Sequence, residues 1–167
     1  TGLAAVLTAL PVVSACSDID GTGDLEYVAG DGQVVEVAPG DRDAPVDISG
    51  RTVQDEPLDL ADYRGRVVVL NLWWSGCGPC RKEMPMLVDA EDEFAQQEPG
   101  KVAFVGINIR DLAPENAATF ERDRGVDYPS IYDPGSETLL ALGDHAPPSV
   151  PATLVLDEKG RVAALVN

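Results

Sequence analysis

Two cysteines three positions apart, Cys77 and Cys80, stand in the stretch Asn71-Leu-Trp-Trp-Ser-Gly-Cys-Gly-Pro-Cys80, together with both tryptophans of the chain. Thiols at that spacing can hold a metal, form a structural bridge, or exchange a disulfide with another molecule. A structural zinc ion takes four Cys or His ligands. Beyond the pair the chain offers only Cys16 and His145, so no metal site is expected. A bridge across so short a loop adds little stability, because the chain-entropy gain grows with loop length. Redox exchange uses the spacing directly. A thiol at a helix N-terminus faces unpaired N–H groups and the positive end of the macrodipole, which stabilise its thiolate. Cys77 is then the nucleophile. Cys80, one turn inside, attacks the mixed disulfide on Cys77 and releases the partner. Gly78 and Pro79 suit the entry turn, since glycine relaxes the backbone and proline gives up an N–H that had no partner. No cofactor beyond the cysteine pair is called for.

The elements around the pair fit this placement. Arg66 to Trp73 is a β-branched, nearly continuous apolar run, as expected of a central strand covered on both faces. After Cys80, Met84, Leu87, Val88 and Phe94 recur at helical spacing until Pro99-Gly100 stops them. Val102 to Ile109 reads as a second buried strand, and Pro114 to about Arg124 as a helix begun by proline and ended by Gly125. Gly135 to Leu142 is a short helix candidate. Ala152–Leu156 and Arg161–Val166 form a hairpin across Asp157-Glu-Lys-Gly160, and Val46 to Val53 a smaller hairpin turning at Ser49-Gly50. The order β, α, β, α favours a parallel sheet core with helical crossovers.

The 167 residues suffice for one ordinary domain and a tail, and they carry a formal net charge of −17. Thirteen acids lie between residues 18 and 62 against Arg42 and Arg51 alone. Such a field repels nucleic acid and anionic membrane surfaces, so neither is an expected partner. Residues 1–15 are uncharged and mostly apolar, and too short for a membrane-spanning helix, which needs about 20 residues. They fit the apolar part of a secretory signal that begins before this sequence does. Val13-Ser14-Ala15-Cys16 resembles a bacterial lipobox, which implies cleavage after Ala15 and lipid on Cys16. Residues 16–45 then read as a lipidated cysteine and a flexible acidic spacer, and residues 46–167 as the folded domain.

The segment from Asn71 to Pro85, Asn-Leu-Trp-Trp-Ser-Gly-Cys-Gly-Pro-Cys-Arg-Lys-Glu-Met-Pro, closely resembles the active-site segment of thioredoxin-fold proteins of the TlpA/ResA type. These are extracytoplasmic thiol-disulfide oxidoreductases, and the resemblance covers about residues 45 to 167. It implies an α/β thioredoxin-like fold: a central mixed β-sheet flanked by helices, with an N-terminal β-hairpin and an α/β insertion between about Asn108 and Ser149. It also implies a closing C-terminal helix beyond Asn167. Pro85 matches the proline that kinks the family's active-site helix, and Val150-Pro151-Ala-Thr its cis-proline loop, which lies against the cysteines and pairs with substrate. Glu83 matches a glutamate used near the active site, able to take or supply the proton of Cys80. Thioredoxin itself carries a carboxylate six residues before the first cysteine, where this chain has Asn71. Trp73 matches the family's first tryptophan at the substrate groove. The family's second tryptophan, directly before the nucleophile, is replaced by Gly76, with Trp74 two positions earlier. This exchange is expected to open the approach to Cys77 and alter the groove.

The expected function is reduction of disulfides in exported proteins, with electrons from a membrane partner, in the periplasm or at the cell surface. Oxidation or isomerisation of the same substrates, thiol peroxidase chemistry, and a non-catalytic surface lipoprotein are the alternatives.

Overall fold

The computed structural model describes residues 33–167. The sheet has six strands in the order β1-β8-β7-β4-β5-β6. Its centre is β4 (Val67–Trp73), parallel to β5 (Val102–Ile109), which is parallel to β6 (Ser130–Asp133). On the other flank β7 (Ala152–Leu156) runs antiparallel to β4, β8 (Val162–Val166) antiparallel to β7, and β1 (Val34–Glu36) antiparallel to β8. A separate hairpin joins β2 (Ser49–Arg51) to β3 (Pro57–Asp59). This is the mixed-sheet thioredoxin-like fold that the resemblance implies.

Connections between parallel strands are right-handed, and β4, β5 and β6 step in one direction across the sheet, so both crossover helices fall on the same face. Rings mark that face. Phe94 of α1 (Gly78–Gln97) meets Phe104 at 6.3 Å between centroids, and Phe120 of α2 (Pro114–Arg124) stacks on Trp73 at 4.8 Å. The opposite face presents Leu70, Leu72, Val105, Ile107 and Leu154, all fully buried. Burying each such side chain stabilises the fold by about 1.5–3 kcal/mol. Ile48, Leu60 and Leu142, from the segments around the hairpin and from the 3₁₀ stretch Glu137–His145, complete that core. Among the described residues no helix is long and apolar enough to cross a membrane.

Two expectations change. The spacer expected through residue 45 already holds strand β1, whose Val34–Glu36 pair with Val166–Ala164. Arg42 behind it donates to Asp157 at 3.1 Å. The small hairpin does not turn at Ser49-Gly50. Those residues lie inside β2, and the chain reverses over Thr52–Glu56, where Thr52 accepts the N–H of Asp55. Gly50 is needed there for approach rather than for a turn, since a Cβ would stand 2.8 Å from the Ile131 methyl. The signal segment and Cys16 lie outside the described residues.

Candidate active site

Cys77 and Cys80 form a disulfide, S–S 2.01 Å, where β4 delivers the chain into α1. Cys77 is the N-cap, with Gly78 and Pro79 in the first turn, and its Sγ accepts the N–H of Cys80 at 3.1 Å. That N–H is one of the helix-start donors that has no partner inside the helix. The Val150–Pro151 peptide bond is cis, and the Val150 carbonyl oxygen lies 3.9 Å from Cys77 Sγ. Thus the strand end, the helix start and the loop before β7 converge on one sulfur.

Beneath the pair lies a polar line. Asn71 on β4 donates through Nδ2 to Thr153 Oγ1 at 3.1 Å, and Thr153 donates to Glu83 Oε1 at 3.5 Å. Burial pushes the Glu83 carboxyl above its ordinary range, and the bond from Thr153 only partly offsets it. Asn71 Oδ1 is buried without a hydrogen-bond partner among the described residues.

Pro85 stands inside α1 and has no N–H for the Arg81 carbonyl. That carbonyl accepts Arg124 Nη1 of α2 at 2.9 Å instead, so the proline joins the two helices.

The tryptophans differ from expectation. Trp73 is fully buried; its Nε1 donates to Ser130 Oγ at 3.3 Å and its ring stacks on Phe120. It is a core side chain rather than part of a substrate groove, because its position on β4 aims it beneath α2. Nor does Gly76 open the approach to the nucleophile. Cys77 is only 2% exposed, and the half-buried Trp74 ring occupies the space a side chain at 76 would fill. His145 Nε2 lies 3.0 Å from Asp43 Oδ2.

Sequence reasoning missed Ser75 and Asp111. Asp111 is buried after β5, and both of its carboxylate oxygens accept from Ser75, at 2.8 Å from the N–H and 2.6 Å from the hydroxyl. Neither periodicity nor motif spacing signals a contact across 36 positions.

A disulfide-forming Cys-Gly-Pro-Cys at a helix start, beside a cis-proline on a thioredoxin-like sheet, defines a thioredoxin-like redox protein. The chain belongs to the Redoxin family, whose model matches residues 28–166. Thiol-disulfide oxidoreductase ResA of Bacillus subtilis (strain 168) is 31% identical over 112 residues, 66% of this chain and 58% of that protein. Among solved structures, a DsbF homologue from Corynebacterium diphtheriae superposes with a TM-score of 0.73 at 36% identity, over 86% of this chain and 90% of that one. A secreted thiol-disulfide isomerase from Corynebacterium glutamicum gives 0.74 at 37% identity, over 84% and 86%. The chain spans less than two thirds of the length of the curated relatives it matches first.

Proposed function

We propose that the protein is an extracytoplasmic thiol-disulfide oxidoreductase that reduces disulfides in exported proteins. The Cys77–Cys80 disulfide at the start of α1, with the Val150 carbonyl against Cys77 Sγ, carries this reading. In the reduced protein the Cys77 thiolate attacks a substrate disulfide, forming a mixed disulfide and expelling one substrate thiolate. The Cys80 thiolate then attacks Cys77 Sγ, restoring the Cys77–Cys80 bond and expelling the second substrate thiolate. Two electrons pass to the substrate. A donor of two electrons, assigned to a membrane partner, reduces the pair again. Glu83 takes the Cys80 proton, which suits a carboxyl that burial shifts above its ordinary range. Val150 and Pro151 receive the substrate backbone, and Trp74 with Gly76 shapes the adjoining surface.

Gly-Pro between the cysteines, as in the thioredoxin pattern, supports the reducing direction. Isomerisation is the second reading, because the C. glutamicum neighbour is described as a secreted isomerase. That description supports export, and the apolar segment ending at Cys16 supports lipid anchoring. Mass spectrometry of the protein from its own host should find a diacylated Cys16, and an unmodified Cys16 would remove the anchor from the proposal.

The deciding experiment is a Cys80→Ser trap in the native host. Exported proteins should accumulate as mixed disulfides on Cys77, and the absence of Cys77-dependent adducts would sink the mechanism. Turnover of insulin with a chemical reductant, compared with reactivation of a scrambled disulfide substrate, separates reductase from isomerase.

A further inference from the structure

Ser75, two residues before Cys77, is held at every polar group. Its N–H and hydroxyl donate to the two oxygens of Asp111, and its carbonyl accepts Nε and Nη2 of Arg81 at 3.0 and 2.8 Å. Asp111 is 4% exposed, and its Oδ2 also accepts Asn108 Nδ2 at 2.8 Å. Its backbone carbonyl accepts the Tyr132 hydroxyl at 2.8 Å. Arg110, just before it, sits at φ 64, a left-handed conformation that costs a side-chain-bearing residue energy and turns Asp111 back toward the redox loop. No cation lies within salt-bridge distance of the Asp111 carboxylate among the described residues. Arg81 from α1 and Arg124 with Asp123 from α2 line a groove of about 580 Å³ with Ser75, and Glu115 of α2 acts on Tyr132 together with Asp111. Tyr132 faces Asp111 from β6.

Three donors on one buried carboxylate are what an ionised group requires, since a charge out of water must be hydrogen-bonded. A negative charge bonded to the residue two positions before Cys77 opposes a thiolate on Cys77 and favours the disulfide form. The same bonds fix the peptide that leads into the nucleophile.

We propose that Asp111 is a positioning residue of the redox loop. Its carboxylate holds the Ser75 peptide, and its charge sets the balance between the Cys77–Cys80 disulfide and the dithiol. This rests on the exchange chemistry proposed above. The equilibrium that reads it is the protein disulfide plus two glutathione thiols giving the protein dithiol plus one glutathione disulfide, so atoms and electrons balance.

The test measures that equilibrium at neutral pH in the wild type, Asp111→Asn and Ser75→Ala, with the Cys77 thiolate absorbance followed against pH and thermal unfolding recorded alongside. Asp111→Asn keeps the shape and removes the charge. It should move the equilibrium about tenfold toward the dithiol, about 30 mV for two electrons, and lower the Cys77 pKa. Ser75→Ala removes a donor and leaves the charge, so it should move the equilibrium the other way by less. An Asp111→Asn protein that loses thermal stability but keeps the wild-type equilibrium and Cys77 titration would make Asp111 purely structural and overturn the inference. Should Asp111→Asn fail to fold, Ser75→Ala decides, and no shift or a shift toward the dithiol overturns the inference. A wild type that does not exchange with glutathione removes the proposed function and this inference with it, an outcome distinct from silent variants.

Discussion

At the β7–β8 turn Asp157 accepts from Arg161 Nε at 2.9 Å and Arg42 Nη1 at 3.1 Å, and from the N–H groups of Lys159 and Arg161. At the other end of the same sheet Glu83, Asp111 and Glu121 meet no cation within that reach among the described residues. They accept from neutral donors instead: Thr153, Ser75 with Asn108, and Gln54. Among the described residues the buried side-chain atoms without a hydrogen-bond partner are Asn71 Oδ1, Asn108 Oδ1 and Glu121 Oε1. Burial would raise Asp157, but the Arg161, Arg42 and Lys159 bonds outweigh it and hold the carboxyl well below its usual range. Glu83 and Glu121 shift upward, because burial outweighs their neutral hydrogen bonds. One end of the sheet spends its charges on holding the chain together. At the other, burial makes Glu83 and Glu121 easier to protonate, and Glu83 lies one helical turn after Cys80.

The largest effect that would break this contrast concerns the thiols. Cys77→Ser should bring insulin reduction to the uncatalysed background while thermal unfolding of the domain changes little. Retained turnover would mean that the chemistry lies elsewhere. Glu83→Gln removes the proton acceptor and should slow release from the mixed disulfide about a hundredfold in stopped-flow kinetics. Its stability should go the other way. The raised carboxyl binds a proton in the folded state over a range where the unfolded chain does not, so wild-type stability rises as pH falls from neutral through that range. The Gln variant should lack this rise and be at least as stable at pH 7.

Trp73→Ala tests whether the aromatic at the reactive end is core. Urea denaturation should report a loss of about 3–5 kcal/mol, as for other buried large-to-small changes. Trp74→Ala should instead change thiol reactivity, with Cys77 alkylated faster after reduction and stability altered much less. At the opposite end the sign reverses. Asp157 is lowered in the fold, so its contribution is present above the ordinary carboxyl range, about pH 4, and fades as pH falls below it. Acid titration of the unfolding midpoint should show that fall in the wild type and a smaller one in Asp157→Asn.

Legibility in the sequence followed the range of the interactions. β4, β5, α1 and α2 were readable because apolar periodicity, Pro114 and Gly125 are local signals. β1 was not, since three exposed residues become a strand only when β8 offers its edge. β6 is four residues long and depends on β5 in the same way. The turn at Ser49-Gly50 was misplaced because glycine serves both for reversal and for close approach, and only Ile131 distinguishes them. Asp111 and the burial of Trp73 were likewise invisible, being set by residues 36 and 47 positions away.

While the proline opposite the redox pair came from the family resemblance, the sequence by itself determined the pair and its placement between a buried strand and a helix. These rest on residue type and spacing, which short-range sterics and the helix-start N–H groups convert directly into structure. Tertiary structure alone decided which carboxyls burial makes easier to protonate, that the Trp74 ring fills the space a side chain at 76 would take, and that Asp111 grips the loop before Cys77. Desolvation and hydrogen-bond partners come from chain segments brought together only when the sheet closes.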